Sequence, residues 1–213
     1  MVNLTMKQWK KPLLAAAAAG AILIGPLNLF HAWTGVERYL ISNFTITDAN
    51  WPWYLPLQMA CIGMGVLVLW VIFRMLVADR LLGAEKGRRI PDWITIILAI
   101  IMVSGGYFLS AALLGYEHQP TVFFTLYTAS LLYVALYYSG HSVTAFLLVG
   151  YAGTFAEALL LAPSVGYYEF AHKELFGRAP SWLPFVYGWV GVYIHTVSRE
   201  IGREEKVSLS AYL

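Results

Sequence analysis

The sequence predicts an all-α protein: a six-transmembrane-helix bundle, with residues 1–213 forming a single polytopic membrane domain. Three observations lead there. Of the residues, 59% are hydrophobic and 12% charged, a balance far from that of soluble domains. Six apolar stretches each approach the roughly 20 residues that cross about 30 Å of hydrocarbon. The segments between them are too short to build a soluble domain. Lipid offers backbone polar groups no partners, so each stretch should be helical.

The expected spans are residues 12–29, 54–77, 93–114, 121–138, 142–162 and 181–198. Span one follows Lys7, Lys10 and Lys11, a charged start that also suits a secretory signal peptide. Its apolar run continues past Gly25 and Pro26 to Phe30, however, and Trp33 stands where a cleavage site takes a small residue. A retained helix is the expectation. Trp51 and Trp53 precede span two, Trp93 opens span three and Trp182 opens span six, as interfacial anchors do. Residues 115–120 and 139–141 are tight connections that make spans three, four and five antiparallel neighbours. Residues 31–53 and 163–180 are longer, rich in aromatics, and expected to fold over one end of the bundle.

Lys7, Lys10, Lys11, Arg80, Lys86, Arg88, Arg89, Arg199, Arg203 and Lys206 fall on one side, against Arg38, Lys173 and Arg178 on the other. The positive-inside rule then puts both termini in the cytosol, which an even span count also requires. Basic residues spread over three membrane edges give no nucleic-acid patch. Cys61 is the single cysteine, so there is no intrachain disulfide or thiolate metal site, and a packing role is expected.

Polar side chains inside the spans are the candidate functional residues. Glu157 is placed near the centre of span five, where an ionised carboxylate costs at least a few kcal/mol unless it is paired or faces a cavity. Asn28 follows the Gly-Pro break of span one. Span four carries Tyr127, Thr128, Ser130, Tyr133, Tyr137 and Tyr138. Three-to-four spacing sets several of these hydroxyls on one face, a pattern suited to a lipid's polar end or to plain helix packing. Glu157 has the same two readings, ligand contact or glue between helices. His195 reads as an ordinary interfacial residue. Gly63 and Gly65, with Gly188 and Gly191, allow close helix approach.

Nothing spells an enzyme. There is no HExxH, no histidine-rich box, no carboxylate pair within a span and no phosphate loop. Glu157 and His195 lie at different depths, and Ser142 beside His141 in sequence is not Ser near His in space.

The stretch Arg178-Ala179-Pro180-Ser181-Trp182-Leu183-Pro184, continuing through Gly191 to Arg199, resembles the last transmembrane segment of the insulin-induced-gene (Insig) family, with its R-S-W-L-P opening and glycine pair. His195 stands where the family has a glycine. Asp79-Arg80-Leu81-Leu82-Gly83 is similar to the family's D-R-x-L-G, Trp53-Tyr54-Leu55-Pro56 to its W-W-V-P, and Leu27-Asn28-Leu29 to its L-N-L. Glu157 falls where the family has a glutamine, and Tyr137-Tyr138 where it has two tryptophans. The resemblance touches five of six spans in order. One motif departs: the family's D-R-S-R-S-G loop, associated with its partner Scap, reads Ser139-Gly140-His141-Ser142-Val143 here, without acid or arginine.

The resemblance implies a remote, bacterial member that is not an enzyme. It would be a sensor holding a sterol or a neutral lipid of the diacylglycerol kind in an intramembrane cavity, with no cofactor or metal. Glu157, Thr128, Tyr133, Tyr137, Asn28 and Tyr127 are the expected lipid contacts. A homo-oligomer, dimer or trimer, is expected; a Scap-like partner is not. The expected location is the bacterial inner membrane, the counterpart of the endoplasmic reticulum for the eukaryotic family. The alternatives are a small lipid-modifying membrane enzyme using Glu157 as acid or base, and a small transporter.

Overall fold

A computed structural model describes residues 6–40, 52, 54–83, 85, 91–114, 116–137, 139–160, 168–199 and 201. Among these are six helices. α1 runs as Met6–Ala18, loosens into a π-helical turn over Ala19–Ile24 and continues as Gly25–Thr34. The loosening has a sequence cause. Pro26 has no N–H for the carbonyl of Ile22, and the Gly25 N–H bonds five residues back to Gly20. α2 is Leu55–Phe73, a π-helical turn Arg74–Ala78, then Asp79–Leu82. α3 is Asp92–Ala112, α4 Gln119–Tyr137, α5 Gly140–Leu160 and α6 Leu183–Ser198. Pro56, Pro120 and Pro184 each stand second in their helix, where the missing N–H costs nothing.

The chain is an integral membrane protein. Gln8–Thr34, Leu55–Leu82, Asp92–Ala112 and Gly140–Leu159 are long and apolar enough to cross a bilayer. The other two predicted spans fall short of that test for different reasons. α6 has 16 residues, about 24 Å of helix at 1.5 Å per residue. α4 is diluted by Gln119, Thr121, Thr125, Thr128 and Ser130.

α6 is the axis of the bundle. From Leu183 to Ser198 most of its residues are buried, among them Trp189, Val192, Ile194 and Thr196. It packs most extensively on α5 and then on α3. The α5 contact is made at backbone distance: a β-carbon on Gly191 would collide with the Ala145 carbonyl, and one on Gly150 would lie 2.6 Å from the Pro184 carbonyl. The glycines expected to allow close helix approach therefore mostly do so inside the chain. Gly63 faces the Ala16 carbonyl in the same way, and Gly65 alone of the expected four has open space before it.

Two short strands close the end opposite the basic edge. β1 (Glu37–Tyr39) and β2 (Tyr168–Phe170) pair antiparallel, Glu37 opposite Phe170 and Tyr39 opposite Tyr168. The long connections thus fold over the bundle as expected, within the residues described.

Gly191→Val is expected to destabilise the protein by about 3 kcal/mol, because a branched side chain has no room at backbone contact. Gly65→Ala is expected to stabilise it by about 0.5–1 kcal/mol through helix propensity. Unfolding in mixed micelles, followed by circular dichroism, compares the two.

Candidate functional site

The closed end encloses a polar cluster that starts from local helix geometry. Asn28 and His31 are three residues apart, so they share a face of α1. The helix stops at Thr34 because Gly35 takes φ +81° and returns its N–H to the His31 carbonyl, a left-handed cap that glycine adopts without steric cost. Three residues later the chain is extended. Strand alternation turns Glu37 and Tyr39 inward and Arg38 outward.

This reversal brings Glu37 back onto His31. Nδ1 of His31 lies 3.0 Å from Oε1 of Glu37, and both side chains are buried. Nε2 lies 3.0 Å from the Tyr107 carbonyl and 2.9 Å from Oγ of Ser110. The Tyr107 hydroxyl donates to Oδ1 of Asn28 at 2.8 Å. The Tyr39 hydroxyl donates to Oε2 of Glu37 at 3.4 Å. The Tyr107 ring lies 4.1 Å from the His31 ring, and Trp182 meets the imidazole edge-on.

Ser110, His31 and Glu37 superficially form a nucleophile, base and orienting acid. The Tyr107 carbonyl excludes that role. It only accepts, so Nε2 carries a hydrogen and cannot take one from Ser110. Ser110 donates to the same carbonyl at 3.0 Å. His31 and Glu37 are a buried, hydrogen-bonded pair.

Glu157 stands at the same end. It lies three residues before Leu160, where the described part of α5 ends. It is 8% exposed, and its Oε2 has no hydrogen-bond partner among the described residues. One turn earlier, Gly153 makes room for the Tyr187 ring of α6. Burial first, then the carboxylates of Glu37 and Glu157, hold the Tyr39 phenol well above the ordinary phenol range. Glu157 therefore lies close enough to Tyr39 for its charge to act on the phenol.

The predicted site residues divide. Asn28 and Glu157 come to this end together. Tyr133 instead packs its ring 4.6 Å from Trp189, while Ser130 accepts from Nε1 of Trp189 at 3.1 Å; that face of α4 is helix packing. Tyr127 is 41% exposed and stacks on Phe123. Thr128 faces outward in an open groove with Pro120, Phe124 and Leu132. The 100° step between residues separates 127 and 128 from the face of 126, 130 and 133. The side chain of Tyr137 lies outside the described residues. His195 is not an ordinary interfacial residue: it is fully buried at the opposite, basic end, 3.2 Å from Glu85. His31, Glu37, Tyr107 and Ser110 were not among the expected site residues, since no motif joins residues 31 and 37 to 107 and 110.

No protein-family model and no curated protein matches this chain. Its fold is shared with a solved mycobacterial Insig homolog from Mycobacterium vanbaalenii, MvINS. That protein is 19% identical, with a TM-score of 0.63 over 93% of this chain and 97% of that one. A cross-linked trimer of a cysteine variant of MvINS matches with a TM-score of 0.62 at the same identity and coverage. The relationship is remote and Insig-like in fold.

Glu37→Ala would leave His31 buried without its partner and is expected to cost about 3–5 kcal/mol. Glu37→Gln can turn its amide N–H to donate to Nδ1 of a neutral His31 and is expected to cost about 1–2 kcal/mol. Equal losses in chemical unfolding would contradict the pairing.

Proposed function

We propose that this protein is an Insig-like, non-enzymatic membrane sensor that holds a neutral lipid bearing a hydroxyl, a sterol or a diacylglycerol-like molecule, with Glu157 at the lipid's polar end. The observation that carries this reading is the Oε2 of a buried Glu157, unpartnered among the described residues. The surrounding polar groups are occupied: Tyr107 with Asn28, Tyr39 with Glu37, and His31 with Glu37 and Ser110. A carboxyl group accepts a hydroxyl hydrogen or, protonated, donates to a hydroxyl or ester carbonyl. A hydroxyl-bearing lipid supplies that partner and leaves its apolar body in hydrocarbon.

The shared fold supports the class of protein, and the cross-linked trimer of MvINS supports a homo-oligomer. With Gly63, Gly188 and Gly191 committed inside the chain, contact between protomers would use lipid-facing side chains. A Scap-like partner is not proposed. The loop that would receive it reads Ser139-Gly140-His141-Ser142, and its polar groups face the protein's own carboxylates. Catalysis by Glu157 finds little support, because His195, the histidine considered as its partner, lies at the other end of the bundle.

Native mass spectrometry of gently purified protein, with identification of extracted lipids, tests the proposal. A stoichiometric neutral lipid is expected. Glu157→Ala should lower its affinity about 10- to 100-fold, the loss of one strong hydrogen bond, and Glu157→Gln should lower it less. Unchanged lipid occupancy in both variants would overturn the role of Glu157. Turnover of the bound lipid that stops in Glu157→Gln would favour an enzyme instead.

A further inference from the structure

One phenol at the closed end differs from Tyr39 and Tyr107. Those two donate to Glu37 and Asn28, whereas the hydroxyl of Tyr187 has no hydrogen-bond partner among the described residues. Tyr187 is the fifth residue of α6 and partly buried, its ring packed against the main core. A phenol inside a bundle ordinarily finds a partner for its O–H, and hydrocarbon supplies none.

Helix geometry aims this hydroxyl at Glu157. The Tyr187 ring lies against Gly153 of α5, where a β-carbon would stand 3.2 Å from its Cδ2 and 3.3 Å from its Cγ. Gly153 and Glu157 are four residues apart, so they stack on one face. Side chains of a helix lean toward its N-terminus and cover the preceding turn. Glu157 therefore leans back over the turn of Gly153, where the Tyr187 ring lies. α6 begins at the closed end, with Trp182 against His31, so the Tyr187 ring leans toward that end and the two side chains converge. Burial is the main cause of the raised Tyr39 phenol, and Tyr187 follows Glu37 and Glu157 among the groups that oppose its ionisation. Tyr187 and Glu157 thus act on one residue. No hydrogen bond joins them to each other among the described residues.

We propose that Tyr187 is a second contact for the lipid held by Glu157, and that the two side chains read an alcohol from both sides. Tyr187 donates to the alcohol oxygen. Glu157, which keeps an acceptor oxygen in either protonation state, takes the alcohol hydrogen. This role presupposes that Glu157 holds a lipid, and it adds what the lipid must carry. An ether or ester oxygen accepts from Tyr187 but has no hydrogen for Glu157, so the polar end is a free hydroxyl, as on a sterol or a diacylglycerol.

Delipidated full-length protein, titrated in detergent micelles with cholesterol or with 1,2-dioleoylglycerol and read by native mass spectrometry, tests the contact. Tyr187→Phe removes the hydroxyl and keeps the ring against Gly153. It should weaken binding about 3- to 10-fold, the loss of one neutral hydrogen bond, and the lipid that shows this loss is the source of the alcohol. The methyl ether of that lipid should bind the unaltered protein more weakly than the alcohol does. In the double variant Tyr187→Phe/Glu157→Ala the combined loss should fall short of the product of the single losses, because both contacts meet one hydroxyl. The melting temperature of lipid-free protein should not change in Tyr187→Phe. A drop in lipid-free stability that matches the loss of affinity assigns the phenol to packing and overturns the contact. An ether that binds as tightly as its alcohol, or losses that simply multiply, overturn the reading of one alcohol by two side chains. Binding that weakens in Glu157→Ala but not in Tyr187→Phe overturns the role of Tyr187 and leaves the lipid site standing. Unaltered protein that takes up neither lipid overturns both.

Discussion

A polar group buried in this bundle has no water to turn to, and that constraint organises the molecule. In hydrocarbon an unmade hydrogen bond costs several kcal/mol, so polar side chains must find partners in the chain or leave the interior. The described structure answers by gathering them at the two ends. Between the ends, the buried Ser130 bonds back along its own helix to Leu126 at 2.8 Å. Trp189 is drawn in by the same need, its ring nitrogen donating to Ser130.

That arrangement depends on α6 lying at the centre. A helix buried on most sides must be approached closely, and residues without side chains allow it: Gly188 and Gly191 on α6, Gly150 on α5. Close approach also places the two clusters. Trp182, just before α6, covers His31 at one end, and His195 near its last turn enters the charged cluster at the other. One helix of 16 residues therefore joins both polar centres, and a substitution that lifts it from α5 would disturb both.

Much of this was readable in the sequence because hydrophobic length and glycine spacing are local signals. The order of the helices, the return of the long connections over one end, and the buried Glu157 and Asn28 follow from runs and single residues. The division of α4 does not. Tyr127, Thr128, Ser130 and Tyr133 are all hydroxyl-bearing, and only the neighbouring Trp189 decides which of them point inward. His31 with Glu37, and His141 with Asp79, are partners brought together by turns and by helix crossing; composition and spacing carry no trace of them.

The two ends solve the same problem with different chemistry. At the closed end the partners are short and come from a capped helix, a strand and a single face of α3. Such a site has little freedom, which suits a fixed wall around a carboxyl group. At the basic end the partners are longer arginine and glutamate side chains drawn from several segments, with Asp79, Asp92 and Glu85 partly open to the surface. Charges that water can reach are weakened by it and hold a looser balance. Rigid pairing therefore lies beside Glu157, and adjustable pairing lies at the opposite end of α6.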